Sequence, residues 1–356
     1  MAPFFPREGI FTLDALTILL KRTLLNPTLT LPIFLALQYT PRGQALLKSL
    51  GPRGAKLFSK FKILLALGLV GRINGFLSQM SSNNWRRDKF SPSSEIVVVT
   101  GGSSGIGAAM VRELTKPGLG IKAVVVLDVQ PLLYEAAKNV HFFAVDLSSS
   151  DNIGEVCKRV REEVGNPTVL INNAGVCRGK TILDSSAKDN ELTFAVNTLS
   201  HFNLAREFLP AMISANHGHV VTVASIGAYM AAPQMVDYNS SKAAAHCFHE
   251  GLGLELVHRY NAPKVRTTLV SQGYVKTPLF QGFKNTNWFM LPGLETETVA
   301  DAVVEKVLRH QSGHIVLPRM YNLYTGIRGW PIWYQNRVRG QTKNHMSKWN
   351  GKQVLK

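Results

Sequence analysis

The pattern of apolar and polar positions changes character near residue 95. Beyond it, short apolar runs recur between polar or glycine-rich stretches: "EIVVVT" (95–100), "IKAVVVLD" (121–128), "VHFFAVD" (140–146), "TVLINNAG" (168–175), "HVVTVAS" (219–225), "VRTTLVS" (265–271) and "GHIVLP" (313–318). They are rich in β-branched residues and too short for helices, which predicts buried strands. The intervening segments predict helices near 105–116, 151–164, 187–213, onward from Tyr238, and 296–310. Apolar strands alternating with helices imply a parallel sheet covered on both faces. The expected fold is α/β: one doubly wound, Rossmann-type domain over 95–320.

The first 80 residues follow another pattern. "LLNPTLTLPIFLALQY" (24–39) carries no charge and is interrupted by Pro27 and Pro32. In "LFSKFKILLALGLVGRINGFLSQM" (57–80), apolar residues at 57, 61, 64, 65, 69, 73, 76, 77 and 80 have helical spacing. A spanning helix needs ~20 apolar residues, and neither stretch clearly reaches that length. The start of the chain lacks the compact apolar region of a cleavable signal. We expect a membrane-associated region at 1–80, lying in the interface or forming a shallow hairpin. A polar linker is expected at 81–94.

Charge sharpens this division. The net charge of +17 is carried by the two ends: residues 1–95 balance to +9, residues 96–305 to −2, and residues 306–356 hold ten basic and no acidic residues. Basic arms suit nucleic acid or an anionic membrane. Their interleaving with apolar runs and aromatics favours the membrane, and no nucleic-acid motif accompanies them. Three scattered cysteines (Cys157, Cys177, Cys247) form neither a disulfide framework nor a metal-ligand spacing, which implies a reducing environment and no metal.

Candidate chemistry begins with "TGGSSGIG" (100–107), between the first strand and first helix. Gly101, Gly105 and Gly107 permit a tight turn and the approach of a pyrophosphate to the helix N-terminus. Ser103, Ser104 and Ile106 belong to the same expected contact. Asp128 closes the second strand, 21 residues after Gly107. An acid there accepts hydrogen bonds from ribose hydroxyls and repels a 2′-phosphate, so NAD(H) is favoured over NADP(H). Asp146, followed by Leu147, ends the third strand, either near the adenine or capping the next helix. In "YNSSK" (238–242), helical spacing sets Tyr238 and Lys242 on one face.

Together these motifs resemble the short-chain dehydrogenase/reductase family over 95–320. "TGGSSGIG" matches its TGxxxGxG loop, and "NNAG" (172–175) the motif stabilising the central strand, which adds Asn173, Ala174 and Gly175 to the cofactor wall. Asn197, Ser225, Tyr238 and Lys242 stand where the family carries its catalytic tetrad. The resemblance implies that Tyr238 exchanges a proton with an alcohol or carbonyl and that Ser225 holds the reacting oxygen. It also implies that Asn197 anchors a proton-carrying water. A free tyrosine has a pKa of ~10, and a cation one helical turn away would favour its phenolate. Gly273, Val275 and Thr277 match the segment contacting the nicotinamide. The sequence departs from the family's Pro-Gly there, reading "SQGYVKTPLF" with Gln272 before Gly273.

The segment "PLFQGFKNTNWFMLPGL" (278–294) predicts an apolar substrate lid, suited to a lipophilic alcohol or ketone. The tail "MYNLYTGIRGWPIWYQNRVRG" (320–340), within a basic region 321–356, has the composition of an interfacial segment or a homodimer contact. The N-terminal region and "FHEGLGLEL" look like the membrane-bound 17β-hydroxysteroid and retinol dehydrogenases. That resemblance implies a steroid, retinoid or long-chain lipid substrate. It also implies attachment to the endoplasmic reticulum or lipid droplets with the catalytic domain facing the cytosol. Two alternatives are an NADPH-linked ketoreductase of lipid biosynthesis and a non-catalytic droplet scaffold of the same fold.

Overall fold

The computed structural model describes residues 6–285 and 287–353. Four helices precede the sheet: α1 (Leu13–Arg22), α2 (Pro27–Tyr39), α3 (Pro41–Ser49) and α4 (Gly51–Ser82). Pro27 opens α2 at a position where its missing N–H costs nothing, and Pro32 removes one rung without ending the helix. The expected break at Pro32 is therefore absent. α2 lies against α4, with Phe34 stacked on Phe58 at 5.8 Å and Gly68 beside the Leu25 carbonyl. α4 is 32 residues long, and its best 18-residue window has a mean hydropathy of 1.4 with 11% of it buried. By length and composition it can cross a bilayer, which the shorter apolar runs read from the sequence did not suggest.

Seven parallel strands follow: β1 (Ile96–Thr100), β2 (Ala123–Asp128), β3 (Val140–Ala144), β4 (Val169–Asn172), β5 (His219–Val223), β6 (Arg266–Gln272) and β7 (Gly313–Leu317). Their spatial order is β3-β2-β1-β4-β5-β6-β7. The chain works outward from β1 in one direction and from β4 in the other, so a crevice opens at the carboxyl ends of these two strands. Both faces are apolar. Val97 and Val99 of β1 pack with α5 (Gly105–Leu114) and α10 (Thr296–Leu308); Ile96 and Val98 pack on the opposite layer. That layer comprises α6 (Ser150–Glu163), α8 (Ser200–Ala215) and α9 (Val236–His258). Burial on both sides explains why the central strands read as unbroken apolar runs. α7 (Ala187–Phe194) starts at a capping box between Ser186 and Asp189 and runs through a π-turn, Ala195–Leu199, into α8. After β7 come α11 (Tyr321–Tyr324) and α12 (Ile332–Gly340).

The polar segment 81–94 is fastened to the lower rim of the sheet. The buried Arg266 guanidinium donates to the carbonyls of Asn83 (2.8 Å) and Arg86 (2.7 Å). Asn84 donates to the Pro263 carbonyl, and Asn83 accepts from the Ser312 amide. Asp88 lies 2.7 Å from His217 Nδ1 and 3.1 Å from His310 Nε2, while Glu95 is 3.2 Å from His217 Nε2. The two carboxylates raise the His217 pKa to about 9. The His217 and His310 rings stack at 4.8 Å and 16°. Asp88, His217 and His310 thus form a hydrogen-bonded clasp whose donor and acceptor atoms all lie within 4.8 Å of one another.

Candidate active site

The loop after β1 turns on two glycines in left-handed conformations, Gly101 (φ 65°) and Gly105 (φ 55°). Gly107 lets α5 approach β1 closely, because a Cβ there would lie 2.0 Å from the Gly101 carbonyl oxygen. Ser104 occupies the N-cap of α5 without a side-chain hydrogen bond, so the first amides of the helix remain available to an anion at the crevice. Gly101, Ser104, Gly105 and Ile106 line the cavity there. Asp128 also lines it, accepting from the amides of Ser103 (2.9 Å) and Gln130 (3.0 Å), with lone pairs left for hydroxyl donors. These residues fit the pyrophosphate and ribose of a dinucleotide.

Two expected cofactor residues face elsewhere. The Ser103 side chain donates to the Gln130 carbonyl at 2.7 Å and shapes the loop after β2. Asp146 accepts from the backbone and hydroxyl of Ser148, building the turn before α6, while its neighbours Val145 and Leu147 line the cavity. Gly107 acts through helix packing and does not line the cavity. Asn173, Ala174 and Gly175 do line it; Asn173 donates to the Thr100 carbonyl, and the Thr100 hydroxyl accepts from the amides of Asn173 and Ala174.

Ser225, Tyr238 and Lys242 meet on the cavity floor, 4% and 3% exposed in the case of Tyr238 and Lys242. The Ser225 hydroxyl lies beside Tyr238 and favours its ionised form. Ser225 Oγ also accepts from the Gly227 amide at 3.1 Å. Lys242 Nζ donates to the Val223 carbonyl at 2.8 Å and lies 5.9 Å from the centre of the Tyr238 ring. Burial pushes the lysine down to about 8. Burial also pushes Tyr238 above its ordinary value, helped by Cys177 and opposed by Ser225. The expected lowering by Lys242 does not appear in the free protein, where desolvation dominates. Asn197 sits in the π-turn, where it donates to the Val176 carbonyl and Ser241 hydroxyl and accepts from the Val176 amide. It locks the turn after Gly175 beside the base of α9.

The outer walls come from the segment after β6 and from the chain's end. Gly273, Val275 and Thr277 line the cavity with Leu279, Phe280, Phe283 and Leu291, and Phe280 meets the Tyr238 ring edge-on at 5.5 Å. Tyr321 packs on Gly273, where a Cβ would lie 2.3 Å from its ring. Residues 345–353 fold back over the lid: Trp349 Nε1 donates to the Leu279 carbonyl, the Lys352 amide to Pro278, and Gln353 Nε2 to Cys177. Tyr321, His345 and Gln353 therefore join the cavity wall, as does Asn239 of "YNSSK". Nothing local in the sequence marks a tail whose Trp349 returns to a segment 70 residues earlier.

A short chain dehydrogenase family model matches residues 95–288. The chain belongs to the short-chain dehydrogenase family. It is 47% identical over 210 residues to Dehydrogenase RED2 of Cochliobolus heterostrophus, covering 58% of this chain and 78% of RED2. Estradiol 17-beta-dehydrogenase 11 of Rattus norvegicus is 36% identical over 265 residues, 70% of this chain and 83% of that protein. A metagenomic short-chain oxidoreductase, solved in complex with NADP, superimposes with a TM-score of 0.52 at 27% identity, covering 64% of this chain and 97% of its own. Like other short-chain dehydrogenases, this protein is an NAD(P)-dependent oxidoreductase of Rossmann-type fold, close to the 17β-hydroxysteroid dehydrogenase branch.

Proposed function

We propose that this short-chain dehydrogenase is a membrane-associated, NAD(H)-preferring enzyme acting on the hydroxyl or keto group of a lipophilic substrate, a steroid, retinoid or long-chain alcohol. The observation that carries the reading is the placement of the Ser225–Tyr238–Lys242 group on the floor of a cavity with apolar outer walls. Met230, Met235, Leu279, Phe280, Phe283 and Leu291 surround that polar floor. Such a site binds a greasy body and directs one oxygen to the hydroxyls.

Gly101, Ser104, Gly105, Ile106, Asp128 and Asn173–Gly175 would hold the dinucleotide, and Gly273, Val275 and Thr277 its nicotinamide end. When bound, the nicotinamide supplies the hydride acceptor or donor and, when oxidised, a positive charge near the phenol. In oxidation Tyr238 would first lose its own proton to solvent under the cationic charge of its surroundings and then take the alcohol proton; in reduction it would give its own proton to the carbonyl. Ser225 holds the substrate oxygen through its hydroxyl. Lys242, desolvated yet cationic near neutrality, stabilises the phenolate as it forms. The apolar walls exclude water and strengthen each of these polar contacts.

Membrane association is supported by the exposed apolar surface of α4, where Leu57, Ile63, Val70 and Phe76 are each more than half exposed, and by the bared Ile332 and Trp333 of α12. NAD(H) preference rests on the Asp128 carboxylate at the ribose position. Cofactor affinities of the detergent-solubilised protein test it. Wild type should prefer NAD(H), and Asp128→Ala should relax the preference by about tenfold, the scale of one lost charge-assisted hydrogen bond. A wild-type preference for NADPH would overturn this assignment in favour of a biosynthetic ketoreductase.

A further inference from the structure

Two buried carboxamides flank Ser225 with hydrogen-bonding capacity that the protein does not use. Gln272 ends β6, 7% exposed, at the position where the family pattern has proline. Its backbone carbonyl accepts from the Ser225 hydroxyl at 3.4 Å, and its Nε2 donates to the Ala224 carbonyl at 3.3 Å. Its Oε1 has no partner among the described residues. Asn239 follows the catalytic tyrosine, 5% exposed, and both its Oδ1 and Nδ2 lack partners among the described residues. Its carboxamide lies against Gly227, where a Cβ would fall 2.3 Å from Oδ1, and the Gly227 amide is the one bonded to Ser225 Oγ. Both residues line the catalytic cavity.

A buried amide without partners is destabilising relative to an apolar side chain of similar shape, so it needs a compensating occupant. These amides border Ser225, which receives the reacting oxygen, rather than the glycine loop that receives the pyrophosphate. They offer an unused acceptor on one side, and a donor and an acceptor on the other. Proline at 272 could supply neither.

We infer that Gln272 and Asn239 recognise a second oxygen of the substrate, a hydroxyl or carbonyl close to the reacting carbon, so that the preferred lipids are vicinal diols or hydroxyketones rather than simple alcohols. This rests on the oxidoreductase reading above and narrows its substrate class. The hydride and proton still leave the same carbinol; the second oxygen is held and unchanged. A mono-alcohol leaves the two carboxamides unpaired and forfeits that binding.

The test compares oxidation of a secondary dodecanol and of the corresponding vicinal dodecanediol by the full chain in detergent, with NAD+ and with NADP+. Wild type should favour the diol in kcat/KM by about 10- to 100-fold, the discrimination expected when buried polar groups go unpaired with the poorer substrate. Gln272→Leu and Asn239→Leu should each shrink that ratio several-fold, chiefly by lowering the diol value. Because the readout is a ratio within one protein, a partly unfolded variant does not imitate the effect. A wild-type ratio near one, or variants that lower both substrates equally, would overturn the inference and leave the amides with a structural role. Turnover of neither substrate by wild type that binds cofactor would instead overturn the lipid-oxidoreductase reading itself.

Discussion

Burial shifts the proton affinities of Tyr238 and Lys242 in opposite directions. Desolvation raises the phenol and lowers the ammonium to about 8, so the free site carries a protonated tyrosine beside a lysine close to its titration point. Helical spacing sets this pair on one face, and the family resemblance is what gives it a catalytic role. The glycines were legible because each answers a local steric demand. Gly107 allows a direct check. Gly107→Ala sets a Cβ against a backbone carbonyl that cannot move aside, so cofactor affinity should fall at least tenfold and the melting temperature should drop, with an overpacking cost of about 1–3 kcal/mol. Unchanged affinity would contradict the close approach. The glycine loop places Ser103 at the expected cofactor contact, and Asp146, ending the third strand, is expected either near the adenine or capping the next helix. Their side chains satisfy nearby backbone groups instead, a choice made by rotamers rather than by residue type.

At the scale of elements, the strands and helices of the catalytic domain were legible almost end to end, since an apolar run buried on both faces has few other structures open to it. The segment 81–94 was not. Its polar residues resemble any exposed loop, and their partners, His217, Arg266, His310 and Ser312, lie far along the chain. The clasp has a definite pH signature. His217 has a folded pKa of about 9, above its ordinary 6.5. Its contribution is complete below pH 6.5 and is lost as pH rises through about 9, whereas Asp88 and Glu95, both lowered, lose theirs as pH falls through the carboxylate range. His310, lowered to about 4, opposes His217 by favouring the folded state above its ordinary value. Thermal melts should therefore show His217→Ala destabilised by about 1–2 kcal/mol near pH 6 and much less near pH 10. Equal destabilisation at both would remove the ion-pair account.

Across the whole molecule, the clasp ties the carboxyl end of a long apolar helix to the base of the sheet, opposite the catalytic crevice. α1 is seated from the other side: its Leu13 amide donates to the Phe289 carbonyl of the lid, and Asp14 accepts from the Arg319 amide after β7. The apolar region is thus joined to the lid as well as to the sheet. Charge imbalance and apolar periodicity made the N-terminal region visible in sequence, but neither could disclose these two anchor points. If α4 is the element that meets the bilayer, Leu67→Glu with Phe76→Glu should release the protein from phosphatidylcholine vesicles on flotation while leaving its NAD(H) affinity intact. Undiminished flotation would move the membrane contact elsewhere.

The central claim is that Tyr238 moves the proton while the cofactor moves the hydride. The most direct measurement is NAD(H)- and NADP(H)-coupled turnover of a lipophilic alcohol and ketone panel by the full chain, wild type against Tyr238→Phe, with cofactor affinity determined on both proteins. We expect turnover by wild type, a loss of about 10²- to 10⁴-fold in kcat for the variant, and equal cofactor binding. A variant that binds cofactor and turns over at the wild-type rate would contradict the account.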